Sequence, residues 1–344
     1  MMKAAVMQGI EKITMEERPI PVPEEEQVLV RIKSVGVCGS DIHYFVEGRI
    51  GDYIVRPPFI LGHECAGEIV EIGNRVKTLK PGDRVTMEPG LPCGKCEDCR
   101  AGRYNLCPDV VFWATPPIDG TFCEYVVHPA NFTFPIGDQV SFEEAALVEP
   151  LSVGVYATRR AAVEPGQIAL VLGSGPIGLV TLMSLLARGV TEVIAVDVVD
   201  FRLQKAKELG ARYVLNGKTE DIPKKVMEIT RGRGVDVVFE TAGNIQTTQM
   251  TVEVTKRGGK VVLIGLPSRA IFDFGIIKTI DKELDILGVF RYANAYKGCI
   301  DLLNAGKVNL KSLITHRYTL EQTQEAMEFA HHHKAESIKV VVNV

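Results

Sequence analysis

The sequence predicts a two-domain α/β protein, with a mostly β domain and a doubly wound parallel sheet. Three observations carry that prediction. At 344 residues the chain exceeds the usual reach of one hydrophobic core, so two domains are expected. Up to about Glu149 it runs as short alternating segments separated by turns. From about Ser152 to Leu287 the rhythm becomes strand–helix–strand, which implies parallel pairing through right-handed crossovers.

The composition is that of an ordinary globular chain, 46% hydrophobic and 24% charged. A formal charge of -4 leaves no surplus of Lys and Arg to neutralise phosphates, which argues against nucleic acid as a partner. Glu11, Lys12, Glu16, Glu17 and Arg18 follow the first ten residues, and no long apolar run precedes them, so a cytoplasmic protein is expected. Residues 168–187 carry no charge and approach the length of a membrane span. Gly173, Gly175, Pro176 and Gly178 divide them into a strand and a helix buried in a parallel sheet, so no membrane association is expected.

In the first stretch Val28–Lys33 and Ala66–Ile72 alternate as strands, and Pro81-Gly82-Asp83 turns the chain before Arg84–Met87. In the second, strands are expected at Ile168–Leu172, Glu192–Val196, Tyr213–Leu215, Val235–Glu240, Lys260–Ile264 and Leu284–Val289. Helices are expected at Ile177–Arg188, Arg202–Leu209 and near Ile222–Thr230. The final segment, Ser337–Val344, reads as a strand with no helix after it and is expected to return to the first domain. His331, His332 and His333 are consecutive, so they do not face one another on a helix and read as solvated helix-end residues. The boundaries are 1–151 for the β-rich domain, with a cysteine lobe at about 89–108, 152–287 for the parallel-sheet domain, and 288–344 for the return.

Four of the eight cysteines crowd into Cys93-x2-Cys96-x2-Cys99-x7-Cys107. Four thiolates closing on one ion fill the tetrahedron of zinc and leave no open position, so this site is structural. The spacings do not match the common ferredoxin runs, and a reducing compartment disfavours disulfides. Cys65, Cys123 and Cys299 read as buried or half-buried thiols.

Cys38, His63 and Glu64 offer sulfur, nitrogen and oxygen donors, a mixture zinc accepts. Three protein ligands leave one position free for water or substrate, the pattern of a catalytic zinc. A buried thiol beside a capping histidine is the competing reading. Zinc renders a hydroxyl more acidic, and its proton then needs a route out. Ser40 and His43, two and five residues past Cys38, are placed to relay it, with a hydrogen-bonded structural histidine as the alternative for His43. Glu149 stands in the apolar run Ala145–Ser152, where a carboxylate is costly unless paired or near a metal. Capping a helix is its alternative role.

Gly173-x-Gly175-x-x-Gly178 follows a strand and opens a helix, and Asp197 ends the next strand about twenty residues on. That context is a Rossmann dinucleotide site, with the pyrophosphate on the helix N-terminus. Asp197 can accept hydrogen bonds from the ribose hydroxyls and would repel a 2′-phosphate, so NAD is expected over NADP. Arg202 reads either as a residue lining the adenine end or as a surface charge.

These residues, together with Cys38–Tyr44, Glu47–Gly51, Gly62–Glu64, Gly102–Leu106, Ala114–Pro117, Glu149–Gly154 and Gly288–Tyr292, make the chain resemble the zinc-containing medium-chain dehydrogenases. Within them it is most similar to polyol dehydrogenases of the sorbitol (L-iditol 2-) type. The resemblance spans nearly the whole length. Animal members lack the four-cysteine lobe, whereas this chain is similar to bacterial members that keep it.

The resemblance implies a GroES-like catalytic domain beside the Rossmann domain, with the active site in the cleft between them. It implies that Cys38, His63 and Glu64 hold the catalytic zinc with a water, and that Glu149 approaches through that water or coordinates directly. It implies that Tyr44, Glu149, Arg291 and Tyr292 contact a polyol. It implies that Ile177, Asp197, Arg202, Ile264, Gly265, Leu266, Val289, Phe290 and Arg291 line NAD, and that the protein is a homotetramer. The expected reaction is oxidation of a secondary hydroxyl to a ketose, with sorbitol favoured and xylitol and L-iditol as further substrates. L-threonine 3-dehydrogenase is the enzymatic rival, and a non-catalytic NAD-binding sensor is the rival of another class. A sensor needs no open metal site, so Cys38, His63 and Glu64 speak against it.

Overall fold

In the computed structural model, which describes residues 1–267, 269 and 271–344, the chain divides into two compact units. One comprises Met1–Glu149, Tyr296–Gly306 and Leu310–Val344, and the other comprises Pro150–Ala295 and Lys307–Asn309.

The first unit is organised on a seven-stranded sheet centred on the strand Gln27–Gly36. Its β-branched residues Val28, Val30, Ile32 and Val35 are fully buried, which suits a pleated surface covered on its inner face. Glu64–Ile72 and Tyr125–Pro129 pair with this strand antiparallel, and Arg84–Met87 and Thr133–Pro135 extend the sheet outward. On the other side the C-terminal strand Lys339–Asn343 pairs antiparallel with Gln27–Gly36 and parallel with Ile314–Thr319. Phe45, Leu61, Ile69, Phe122 and Val342 belong to one hydrophobic core cluster of this unit. Each such side chain contributes roughly 1.5–3 kcal/mol by leaving water.

The second unit is a six-stranded, wholly parallel sheet. Its strands lie side by side in the order Tyr213–Asn216, Glu192–Asp197, Ile168–Leu172, Val235–Glu240, Thr255–Leu263 and Asp285–Gly288. The chain runs outward in one direction from Ile168–Leu172 and then in the other from Val235–Glu240, which makes the space beyond their C-terminal ends the topological switch point.

Element ends differ from the sequence expectation where glycine and proline act. The helix expected at Ile177 begins at Pro176, because proline at the first helical position gives up an N–H that would have no partner. The strand expected at Lys260 begins at Thr255 and carries Gly258 and Gly259 within it, with an irregular register where it pairs with Val235 and Val237. The uncharged stretch at 168–187 resolves into the strand Ile168–Leu172 and the helix Pro176–Ala187. Among the described residues no helix is long and apolar enough to cross a membrane.

Candidate active site

Cys38 stands at the end of the central strand, immediately before the helix Gly39–Glu47, and His63 and Glu64 enter the neighbouring strand. Pairing of Gly36 with Glu64 brings the two segments together. One donor atom from each of Cys38, His63 and Glu64 lies within 4.8 Å of the other two. Asp41 ties the segments, accepting from the Cys38 amide at 3.0 Å and the Gly62 amide at 2.9 Å. Its Oδ1 is also 3.6 Å from Nδ1 of His63, which leaves Nε2 for a metal. Asp41 is fully buried, and sequence reasoning gave it no role although it lies within the motif.

Glu64 has a second partner that the sequence reading missed. The ammonium of Lys339 donates to both Glu64 oxygens at 2.7 Å and to the Val37 carbonyl at 3.0 Å. Burial opposes its charge, yet Glu64 and Cys38 outweigh burial and raise the Lys339 pKa. His63 behaves alike: desolvation lowers its pKa, and Asp41 and Cys38 more than reverse that. The pocket is electronegative and its donors are mixed, so it fits a zinc ion. A lysine within the apolar run Ile338–Val342 was the available signal, since an unpaired charge there would be costly.

The other expected site residues are distributed more widely. Glu149 is buried in the first turn of the helix Val148–Arg160 and lies outside the three-ligand cluster. It is close enough to help raise the pKa values of Cys65, Glu88 and Lys339. Ser40 is half-buried and Tyr44 is buried on the helix after Cys38. The His43 side chain is 62% exposed and pairs through Nδ1 with Glu47 at 3.1 Å. Arg291 takes a left-handed backbone conformation, φ 52°, just after the last parallel strand, and Tyr292 beside it is buried.

The four-cysteine loop also fits a metal. Its sulfurs lie within 4.8 Å of one another, with Cys96 and Cys99 3.3 Å apart and Cys93 and Cys99 4.0 Å apart. Zinc bound at ~2.3 Å to four sulfurs would separate them by ~3.8 Å. The amides of Lys95 and Cys96 bring the Cys93 thiol down to about 7. Burial, then the neighbouring thiol of Cys96, pushes Cys99 up to about 12. Thiols so close cannot all ionise without a cation among them. Within the loop, between Cys99 and Cys107, the Tyr104 hydroxyl donates to the buried Glu88 carboxylate at 2.8 Å, and burial raises Glu88 to about 7.

In the second unit the glycine turn closes as the dinucleotide fingerprint requires. A Cβ on Gly178 would lie 1.8 Å from the Gly173 carbonyl, so only glycine fits there. Asp197 accepts from the Ser174 amide at 2.7 Å and from the Val198 and Val199 amides at 2.8 and 3.0 Å. Arg202 stands 4.0 Å from it. Gly173, Gly175, Ile177, Ile264, Gly265, Leu266, Val289 and Phe290 all occupy the segments that leave the C-terminal ends of the parallel strands, where such folds bind ligands. The glycine turn and the carboxylate beside it fit a dinucleotide.

Residues 24–138 match the alcohol dehydrogenase GroES-like domain and residues 176–305 the zinc-binding dehydrogenase domain. A sorbitol dehydrogenase from Bacillus subtilis is 47% identical over 99% of this chain and 97% of its own length. An L-idonate 5-dehydrogenase from Vitis vinifera is 43% identical over 99% of this chain and 94% of its own. A crystal structure of a dehydrogenase of unknown specificity from Escherichia coli superposes with a TM-score of 0.96 at 40% identity, covering 100% of this chain and 99% of the other. An alcohol dehydrogenase from Escherichia coli complexed with NADH gives a TM-score of 0.93 at 28% identity, over 100% of this chain and 99% of its own. The chain therefore belongs to the zinc-dependent medium-chain dehydrogenase family, the family of the sorbitol dehydrogenases that it resembles along its whole length.

Proposed function

We propose that the protein is an NAD- and zinc-dependent polyol dehydrogenase that oxidises a secondary hydroxyl to a ketose, with sorbitol to fructose favoured and xylitol and L-iditol also accepted. The observation that carries this reading is the convergence of Cys38, His63 and Glu64 on one point, three protein donors among the described residues. Zinc, when bound there, supplies Lewis acidity toward the hydroxyl, and NAD supplies the hydride acceptor. Cys38 and Glu64 bring negative donors and Asp41 orients His63. Ser40 and then His43 carry the proton outward, and the exposure of His43 supports delivery to solvent. The same reading gives Tyr44, Glu149, Arg291 and Tyr292 to the polyol. The three amides that fix Asp197 support NAD over NADP.

The reading extends to two zinc ions per subunit, the second held by Cys93, Cys96, Cys99 and Cys107, and to residues 1–151 and 288–344 as catalytic domain with 152–287 binding NAD. It also includes a cytoplasmic homotetramer. Self-association is supported by exposed Ile276, Ile277 and Ile280 on the helix Ile276–Asp281 and by exposed Ile286 on the edge strand Asp285–Gly288 that follows it. Light scattering and zinc analysis test these two numbers.

The deciding experiment is the initial rate of NAD reduction by zinc-loaded protein on sorbitol, xylitol, galactitol, L-threonine and simple secondary alcohols. Fast polyol turnover that chelation abolishes supports the reading. Turnover confined to threonine or simple alcohols overturns the assignment of Tyr44, Arg291 and Tyr292.

A further inference from the structure

Lys339 is the single lysine or arginine that is fully buried among the described residues. Its three N–H groups meet three acceptors, the two oxygens of Glu64 and the carbonyl of Val37. Val37 precedes the proposed zinc ligand Cys38, and Glu64 is itself a proposed ligand. Gly36 also lies against the carboxylate, where a Cβ would lie 2.1 Å from Glu64 Oε2. The carboxylate thus meets both an ammonium and bare backbone. A buried ion pair is a poor device for stability, and an apolar side chain would serve the strand around Val340–Val342 as well.

The geometry points to Lys339 as a positioning residue of the metal centre: it fixes the Glu64 carboxylate where it meets Cys38 and His63, and it withdraws part of the charge that Glu64 gives to the ion. The ion then polarises the substrate hydroxyl more strongly than a fully charged ligand set would allow. This rests on reading Cys38, His63 and Glu64 as zinc ligands.

The test replaces Lys339 in the full-length protein and exchanges zinc for cobalt(II), whose visible bands report the ligand set without turnover. Subtracting the spectrum of cobalt-loaded Cys38→Ser isolates this site. Lys339→Met is expected to shift the cobalt bands, lower kcat about tenfold or more and leave the affinity for NAD unchanged. The rising, acidic limb of its pH–rate profile for hydroxyl oxidation should move to higher pH, and Lys339→Arg should restore most of both readouts. A folded Lys339→Met with wild-type bands and pH profile overturns the proposal. If Lys339→Met does not fold, Lys339→Met with Glu64→Gln should fold, because the stranded carboxylate is gone. A double variant that also fails assigns Lys339 to packing and overturns the proposal. A wild-type protein with no cobalt–thiolate band at this site sinks the zinc-ligand reading itself.

Discussion

The carboxylate of Asp41 lies 3.6 Å from Nδ1 of His63, while its two oxygens hold the amides of Gly62 and Cys38. One buried side chain therefore sets both the orientation of a proposed zinc ligand and the spacing of the two segments that carry the ligands. Asp41→Ala is expected to weaken zinc binding at this site about 10- to 100-fold, the usual cost of losing a partner behind a metal ligand. Competition with a chromophoric chelator measures it. Asp41→Asn, which keeps one acceptor, should fall between, and unchanged affinity would remove Asp41 from the metal centre.

Cys38→Ser should abolish polyol turnover while NADH still binds, because Cys38 belongs to the first unit and the dinucleotide turn to the second. Fluorescence titration with NADH separates the two effects. Retained turnover would refute the ligand assignment.

Cys99→Ser should lower the zinc content by one ion per subunit and lower the thermal midpoint, since a closed four-sulfur site contributes to folding. Affinity for NAD should hold. A variant with full zinc content would show that the loop is not a metal site.

Asp197→Ala removes the negative charge that disfavours a 2′-phosphate. The ratio of kcat/KM with NADP to that with NAD should rise about tenfold or more. A ratio that does not move would assign coenzyme choice elsewhere, Arg202 being the first alternative.

Glu88 predicts a pH dependence. Its folded pKa is near 7 against an ordinary value of 4.5, so the native state holds a proton that the unfolded chain has lost. The stability it contributes is complete below pH 4.5 and is lost as pH rises through 7, by ~3 kcal/mol at most. Glu88→Gln still accepts from Tyr104 and cannot ionise. It should therefore gain on the wild type between pH 5 and pH 8, read by urea unfolding at both. Equal curves at the two pH values would mean that Glu88 ionises freely in the native protein.

Much of this protein is legible in the chain because the informative residues sit close together in sequence. The strand–glycine turn–helix at Ile168–Ala187, the strand Val235–Glu240 and the spacing of Cys93, Cys96, Cys99 and Cys107 are local patterns, and local geometry follows from local residue type. The proximity of Cys38, His63 and Glu64 was also legible, because few residue types offer zinc donors and these stand in two short motifs.

Tertiary structure alone decided the partners of those ligands. Lys339 reaches Glu64 across nearly the whole chain because the last strand pairs with Gln27–Gly36, a register set by burial rather than by any nearby motif. Asp41 is buried beneath the site and His43, two residues along the same helix, is open to solvent, although both belong to one continuous motif. A helix turns about 100° per residue, so neighbours in sequence face different surroundings once the sheet is packed against one side. Residue type determined which chemistry was available, and packing determined which of those residues were enclosed, paired and held.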